Sequence, residues 1–377
     1  MGAVSFFADF TYEGSRSITG PYLAILGADS TVVGIVAGLG ELLGYGLRLL
    51  SGPLSELTGR FWQVALVGYF IQMLSVPTLA FAQSWPSAAV LILLERIGKA
   101  IRNPPRDVML SHAVSEMGYG WGFGLHEALD QAGALFGPLL VATILLKHHG
   151  YAMAFASLVV PALAALTMLI LARWLYPRPG DFEGMARVEL RTRGMPRRYW
   201  IYLVAAALVA AGLADFSLIA YHFEKTAAVA QVWVPIFYSV SMAVSGTGAL
   251  IFGRFFDRVG TGVLLPATAI SALSAPLLFL GNFWSALLGI VAWGIGVGVH
   301  ESIIPAAVAL IVPSNRRGSA YGLFTACYGI SWFVGSALMG ILYRVSLPVL
   351  VAFSTIIQVT AIPILLRPEL RCLRSND

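Results

Sequence analysis

Long apolar segments recur from one end of the chain to the other, and each is about 20 residues long or longer. A helix of that length crosses the hydrocarbon core of a bilayer. The segments lack the alternation of apolar and polar residues that marks a membrane β-strand, so they predict helices. We predict twelve spans, at about residues 4–27, 31–56, 62–82, 86–106, 119–146, 151–176, 199–223, 230–256, 261–281, 284–312, 317–343 and 346–366.

The composition favours an integral membrane protein. Of the 377 residues, 58% are hydrophobic and 11% are charged, whereas a soluble domain carries about 25% charged residues. The two cysteines form no disulfide framework and no metal-ligand spacing. There is no Gly-rich phosphate-binding loop, so ATP is not the expected energy source. We therefore expect no cofactor and no metal.

The basic residues predict the orientation. Arginines collect in alternate connections between spans, while the opposite side has little beyond Lys147, Lys225 and Arg344. Cytoplasmic loops carry an excess of Lys and Arg, so both termini are expected in the cytoplasm, with the chain in the inner (plasma) membrane. Segment 177–198 holds six arginines and is predicted to be a cytoplasmic linker. The net charge of +5 thus follows from orientation and does not indicate nucleic-acid binding.

The two halves of the chain repeat each other at a distance of about 200 residues. Residues 8–11 (Ala-Asp-Phe-Thr) match residues 214–217 (Ala-Asp-Phe-Ser). A Gly-xxx-acid-xx-Gly sequence follows span two and span eight, and further matches occur between spans four and ten and between spans five and eleven. Such order indicates a duplicated six-helix unit. We predict an amino-terminal bundle at 1–176, a linker at 177–198 and a carboxy-terminal bundle with a short tail at 199–377.

This arrangement resembles the major facilitator superfamily over essentially the whole chain. The repeated loop carries the resemblance most specifically, although Glu56 stands where the family favours Asp. The resemblance implies an all-α integral membrane fold of twelve transmembrane helices in two pseudo-symmetric six-helix bundles, and a transporter rather than an enzyme. It also implies that the loop latches the cytoplasmic side, with gate residues Gly52, Glu56, Gly59, Arg60, Gly253, Asp257, Arg258 and Gly260.

Span four carries an unusual charged stripe. On a helix that turns 100° per residue, Glu95, Lys99, Arg102 and Arg106 lie within about 60° of one another. A charge in the middle of a membrane helix costs about 2.5–3.5 kcal/mol on insertion scales, so the stripe should face a cavity or charged partners. Near the cytoplasmic end, where Pro104-Pro105 is expected to stop the helix, we also assign gate roles to Arg102, Arg106 and Asp107.

Charged groups recur in spans one, two and five, where the resemblance places the wall of a central cavity. A buried carboxylate beside a cation can exchange a proton when its access to water changes, so protons are the expected coupling ion. The candidates for proton coupling are Asp9, Glu13, Glu41, Glu95, Glu127 and Asp130. The candidates for substrate binding or a charge network are Arg16, Arg96, Lys99, Tyr45, Asp215, His300 and Glu301. Charges of the two signs nearly balance, so a purely structural network is the alternative.

The sequence predicts a monomeric secondary transporter that moves a small organic solute across a lipid membrane by alternating access. Export by proton antiport is favoured, because Gly133-xxx-Gly137-Pro138 partly resembles a motif in span five of the family's antiporters. Proton-coupled uptake of an organic anion is the alternative, since the basic residues could bind a negative group. A non-transporting receptor or sensor is a further alternative, and an intramembrane enzyme has only the weak hint of Asp215 with His300-Glu301.

Overall fold

A computed structural model describes the backbone of residues 1–113, 119–147, 149–177, 195–313 and 317–371. Within these ranges, the side chains of residues 56, 111–113, 119–124, 300, 301, 305, 309, 317, 318 and 371 lie outside the description. The secondary structure of the described residues is helical, without strands. The predicted all-α class is confirmed.

Nine helices precede the linker and nine follow it in the described chain. The first nine are α1 (Gly2–Arg16), α2 (Thr19–Ile25), α3 (Ser30–Gly46), α4 (Arg48–Thr58), α5 (Phe61–Thr78), α6 (Trp85–Ala113), α7 (Tyr119–Leu146), α8 (Tyr151–Ser157) and α9 (Val159–Leu175). The others are α10 (Arg197–Gly212), α11 (Phe216–Thr226), α12 (Trp233–Val259), α13 (Leu264–Ala272), α14 (Ser274–Phe279), α15 (Phe283–Ile311), α16 (Arg317–Val345), α17 (Leu347–Leu365) and α18 (Pro368–Arg371).

Helices occupy all twelve predicted span positions. In the described residues, nine helical stretches are long and apolar enough to cross a membrane, and one of them, Trp233–Phe279, holds two predicted spans. Spans one and four are not among these nine stretches, and both spans carry several charged residues. The membrane-protein class is therefore confirmed, while the number of twelve crossings stays a prediction.

The sequence predicted that helix α6 would stop at Pro104-Pro105. This prediction is wrong, because the helix continues to Ala113. A proline inside a helix leaves the carbonyl four residues earlier without its N–H donor. For Pro104 that carbonyl belongs to Ala100, and the hydroxyl of Ser51 donates to it at 2.8 Å. A side chain of α4 thus replaces the missing backbone donor, and this helps the helix to continue.

Span seven, predicted as one helix, is interrupted between Gly212 and Phe216. Such a break exposes backbone carbonyls that must find donors within the protein. The carbonyl of Gly212 accepts from Ser354 Oγ at 2.6 Å and from Gln358 Nε2 at 3.0 Å. The indole of Trp293 donates to the carbonyl of Ala214 at 2.8 Å. Neutral side chains therefore stabilise the interruption.

The last glycine of the repeated loop has a positive φ in both copies. Gly59 has a φ of 64° and Gly260 a φ of 63°. Both values lie in the left-handed region, where a side chain is strained and glycine is not. The last glycine of the repeated sequence is therefore required by the turn itself.

The chain divides into two compact units. Unit 1 consists of the described residues of Met1–Ala28, Leu39–Arg187 and Ala230–Ser239. Unit 2 consists of the described residues of Asp29–Gly38, Val188–Val229 and Val240–Asp377. The predicted domain limits at 176 and 199 stay a prediction, and residues 178–194 of the predicted linker lie outside the described residues.

Glycines bring the charged helices of unit 1 close to their neighbours. A side chain at Gly133 or Gly137 of α7 would collide with the backbone of α1, at the carbonyls of Phe6 and Phe10. Small residues at such crossings permit close helix packing in membranes. The Gly133-xxx-Gly137 sequence therefore has a packing role in this structure, and its predicted link to antiport stays a prediction.

Candidate functional site: a charged network in unit 1

Buried polar side chains gather where α1, α3, α5 and α6 meet in unit 1, and one further side chain comes from the start of α12. Polar groups at such depth need partners, because an unpaired charge in a low-dielectric interior is costly. We call this set the charged network, and its members are Asp9, Tyr12, Glu13, Arg16, Glu41, Tyr69, Gln72, Glu95, Arg96, Lys99, Arg102 and Tyr238.

Arg102 is the most deeply placed charge of the network, with no exposed surface. Its guanidinium donates to Asp9 Oδ1 at 3.1 Å, to the hydroxyl of Tyr69 at 2.9 Å and to Gln72 Oε1. The Tyr69 ring also lies under the guanidinium, 4.6 Å from ring centre to Cζ. The sequence placed Arg102 near the cytoplasmic end of its span, whereas the structure places it in the interior of unit 1.

Gln72 connects two charges that the sequence treated separately. Its amide nitrogen donates to Glu95 Oε1 at 2.9 Å while its amide oxygen accepts from Arg102. Asp9, Arg102, Gln72 and Glu95 therefore form one continuous chain of hydrogen bonds. The sequence analysis missed Gln72, although a glutamine within an otherwise apolar span could have indicated a polar partner.

Glu41 binds two guanidinium groups. Arg16 Nη2 lies 2.8 Å and Arg96 Nη1 lies 3.2 Å from its Oε1 atom. Arg96 also approaches Glu95, with its Nε atom 3.7 Å from Oε2, and donates to the hydroxyl of Tyr12. This geometry favours the ionised form of Glu41, because a neutral carboxyl would leave the two buried cations poorly balanced.

Glu13 has a different environment from Glu41. It is 9% exposed, and its Oε2 atom accepts a hydrogen bond of 2.5 Å from the hydroxyl of Tyr238. The ammonium of Lys99 is 4.0 Å from Oε1, at the outer limit of an ion pair. That ammonium lies 3.5 Å from the ring centre of Tyr12, where a cation–π interaction also stabilises it. The sequence analysis did not include Tyr12 or Tyr238 among the site residues.

The candidates from span five lie in a separate group within unit 1. Asp130 Oδ2 is 3.6 Å from Arg106 Nη1 and 3.5 Å from His126 Nε2. Arg106 also binds Asp107, at 2.8 Å. Glu127 is exposed on the surface of unit 1.

The other predicted residues are not brought into the charged network. Asp215, in unit 2, accepts from the backbone N–H of Ser217 at 2.9 Å and caps α11. The gate candidates Arg60, Asp257 and Arg258 are exposed. The side chains of Glu56, His300 and Glu301 lie outside the described residues. The gate roles assigned from the sequence stay predictions.

A helical fold with nine stretches able to cross a membrane in its described residues, and with buried charges between its helices, is typical of a membrane transporter. Sequence comparison identifies the family. The pattern of the Major Facilitator Superfamily matches residues 2–336, and the chain belongs to this family.

Several relatives are similar over most of their length. A protein of Mycobacterium tuberculosis is 39% identical over 96% of this chain and 90% of its own. An MFS-type transporter of Methanocaldococcus jannaschii is 24% identical over 92% of this chain and 88% of its own. The multidrug resistance protein MdtH of Aeromonas hydrophila is 23% identical over 83% of this chain and 80% of its own.

Solved structures support the same fold. The nucleoside transporter NupG has a TM-score of 0.78 at 14% identity and matches 97% of this chain and 98% of its own. A peptide transporter POT in complex with sulfate has a TM-score of 0.73 at 14% identity, over 96% of this chain and 91% of its own. At such identity the likeness concerns the fold. Membership of the Major Facilitator Superfamily identifies the protein as a multi-pass membrane transporter for a small molecule.

Proposed function

We propose that the protein is a proton-coupled secondary transporter that moves a small organic solute by alternating access. The observation that carries the proposal is Glu13, a carboxylate within the charged network that Tyr238 binds at 2.5 Å but that has its cation, Lys99, only at 4.0 Å. A coupling carboxylate must be able to lose and regain its charge during each cycle. Burial favours the neutral form, and a nearby cation favours the ionised form.

Glu13 fits this task better than the other carboxylates of the network. Neutralising Glu41 would remove the partner of two guanidiniums at 2.8 and 3.2 Å. Neutralising Asp9 would weaken its ion pair with the fully buried Arg102. Either change disturbs strong ion pairs, whereas a proton on Glu13 disturbs one long ion pair and the hydrogen bond from Tyr238. We therefore assign Glu41 and Asp9 to the structural part of the network and Glu13 to proton exchange.

Tyr238 gives a route from proton binding to helix movement. Its hydroxyl joins α12 to Glu13 on α1, two helices from opposite halves of the sequence. A hydrogen bond to a carboxylate is about twice as strong as one between neutral groups. Uptake of a proton by Glu13 weakens the attachment of α12 to α1, and alternating access requires contacts of this kind to form and break.

We propose export by proton antiport as the direction of transport. We also propose that the transporter is a monomer in the inner membrane and that both of its termini lie in the cytoplasm. It is supported by MdtH, a relative that is named a multidrug resistance protein. Uptake of an organic anion by proton symport remains the second candidate, because cations are prominent in unit 1. A receptor or sensor would bind its ligand without net flux.

The test is proton movement in proteoliposomes that contain a pH-sensitive dye. A panel of organic anions and lipophilic cations is added to vesicles with the wild type, with Glu13→Gln, or with Glu369→Gln, a control at an exposed glutamate of α18. We expect a ligand-driven pH change that falls at least about tenfold in Glu13→Gln, since an amide cannot exchange the proton, and that persists in Glu369→Gln.

The sign of the pH change separates the transport directions. Protons that move against the ligand indicate antiport, and protons that move with it indicate symport. Ligand flux without proton movement, or full coupling in Glu13→Gln, would contradict the proposal. Saturable ligand binding without flux for any compound of the panel would favour the sensor.

A further inference from the structure

Arg48 differs from the other arginines of unit 1 that lie near the charged network. Arg16, Arg96 and Arg102 each have a carboxylate oxygen within 3.2 Å. No carboxylate oxygen of the described residues lies within 4.0 Å of Arg48. Its Nε atom is buried and has no hydrogen-bond partner in the described part of the chain. Among the described residues, the Nε–H of this guanidinium therefore has no acceptor.

A buried donor without an acceptor is costly, and most such groups in folded proteins are satisfied. Arg48 contacts the ring of Tyr45, with 5.5 Å from its Cζ atom to the ring centre. That contact balances the charge in part but leaves the Nε–H hydrogen unsatisfied. An anion bound at the same edge would supply both the acceptor and the opposite charge.

The position of Arg48 leaves room for such an anion. The helical hydrogen bonds Leu47 N to Leu43 O and Ser51 N to Leu47 O keep α3 and α4 nearly continuous across their junction. Arg48 then lies seven residues after Glu41 and shares its face. Gly44 lies on the same side, and a Cβ atom built there meets no atom of the described residues within 4 Å outside its own stretch of helix. Open space therefore adjoins Arg48 on the side of Glu41.

We propose that Arg48 and Tyr45 bind the anionic group of a small organic ligand. The two parallel N–H donors of a guanidinium match the oxygens of a carboxylate or a phosphate, and Arg holds both in a fixed geometry. The Tyr45 ring beside it offers an apolar surface to the body of the ligand. The inference rests on the proposed function in one respect, that the ligand bound here is the solute being transported.

Ligand binding can be tested apart from transport, with purified protein in a neutral detergent at fixed pH and ionic strength. The probes are benzoate and phenyl phosphate, with benzamide as the neutral control of similar shape. We expect at least one anion to raise the midpoint of thermal unfolding saturably, by about 2 °C or more, because a ligand that binds the folded state stabilises it. Benzamide is expected to produce no such rise.

Three variants test whether the effect depends on the guanidinium of Arg48. Arg48→Gln should weaken the apparent affinity for the anion at least about tenfold, since both donors of the fork are lost. Arg173→Gln, which removes an exposed arginine of α9, should leave it unchanged. Arg48→Lys keeps the charge without the fork, and an intermediate affinity is expected. It also serves as the test if Arg48→Gln does not fold.

The inference is overturned if neither anion stabilises the wild type more than benzamide, or if Arg48→Gln responds like the wild type. Adding phosphatidylglycerol or phosphatidylcholine distinguishes a lipid headgroup from a soluble solute as the source of the anion. Competition by phosphatidylglycerol alone would identify a lipid headgroup as the occupant and overturn the solute assignment. Because these measurements need no proton gradient, their failure would leave Glu13-dependent proton movement intact, and the reverse also holds.

Discussion

Two buried glutamines show how differently the two units satisfy their polar interiors. Gln72 in unit 1 and Gln358 in unit 2 are both fully buried. Gln72 joins two charged side chains, Glu95 and Arg102. Gln358 joins neutral groups, because it accepts from Ser271 Oγ at 2.7 Å and donates to the carbonyl of Gly212. The first glutamine lies between two ionisable side chains, whereas the second lies between groups that do not ionise.

The repeated Ala-Asp-Phe sequence shows the same divergence. Asp9 lies inside the continuous helix α1 and forms an ion pair with Arg102. Asp215 lies where span seven is interrupted and caps α11 through the N–H of Ser217. One copy contributes to a charged network and the other stabilises a helix end. The same short sequence therefore forms a buried ion pair in unit 1 and a helix cap in unit 2.

Replacement of Arg102 by alanine is expected to have the largest effect. It leaves the Asp9 carboxylate buried without its ion pair and removes the donors to Tyr69 and Gln72. Loss of one partner of a buried ion pair costs about 3–5 kcal/mol of unfolding free energy. Denaturant unfolding of the purified protein measures it, with Arg173→Ala as an exposed control.

A double variant tests whether the ion pair causes that loss. Asp9→Leu with Arg102→Leu leaves no unpaired charge and should be less destabilised than Arg102→Leu with Asp9 intact. Equal losses in the two proteins would mean that packing of the Arg102 side chain, rather than its charge, stabilises unit 1.

Tyr238→Phe and Tyr202→Phe together compare a hydrogen bond to a charged acceptor with one to a neutral acceptor. The variant loses the bond to Glu13, and a bond to a charged group contributes about 1.5–3 kcal/mol. Tyr202→Phe is the matched control, because its buried hydroxyl donates to the carbonyl of Ile304 at 2.8 Å, for which about 1 kcal/mol is expected.

The relative size of these two losses tests the comparison. Tyr238→Phe should cost more than Tyr202→Phe, because its acceptor is a carboxylate and not a backbone carbonyl. Denaturant unfolding of both variants at one fixed pH measures the two losses. Equal costs would contradict the assignment of Glu13 as a charged acceptor.

Gln358→Leu should have a smaller effect that is independent of pH. It removes the acceptor of Ser271, while Ser354 still donates to the carbonyl of Gly212. We expect a loss of about 1–2 kcal/mol in unfolding free energy. Gln72→Leu is the counterpart in unit 1, and its loss should be larger, because both hydrogen-bond partners of Gln72 are charged. If both variants behaved alike, the contrast between the two polar interiors would not hold.

The fold could be predicted from the sequence because the signals are long. Spans of about 20 apolar residues and a repeat across the two halves each depend on many positions. The charged residues of spans one, two and four could also be predicted to lie together, since a charge facing lipid is costly.

The partners within the site could not be predicted in the same way. Tyr12, Gln72 and Tyr238 carry no charge, so the pattern of charged positions does not reveal them. The continuation of α6 through Pro104 is accompanied by a hydroxyl of another helix, Ser51, which local sequence cannot indicate. These features depend on which helices are neighbours, and that is known only from the folded chain.

The smallest effect is expected at the exposed ion pair between Asp29 and Arg344 in unit 2. Its atoms are 2.8 Å apart, but 45% and 62% of the two side chains are exposed. Water and salt screen such a pair, so Arg344→Gln should cost about 0–1 kcal/mol and less still at high salt. A double-mutant cycle with Asp29→Asn isolates the pair from other losses. A coupling energy near that of Asp9 with Arg102 would show that exposure does not separate the two kinds of ion pair, and the contrast between buried and exposed charge would have to be abandoned.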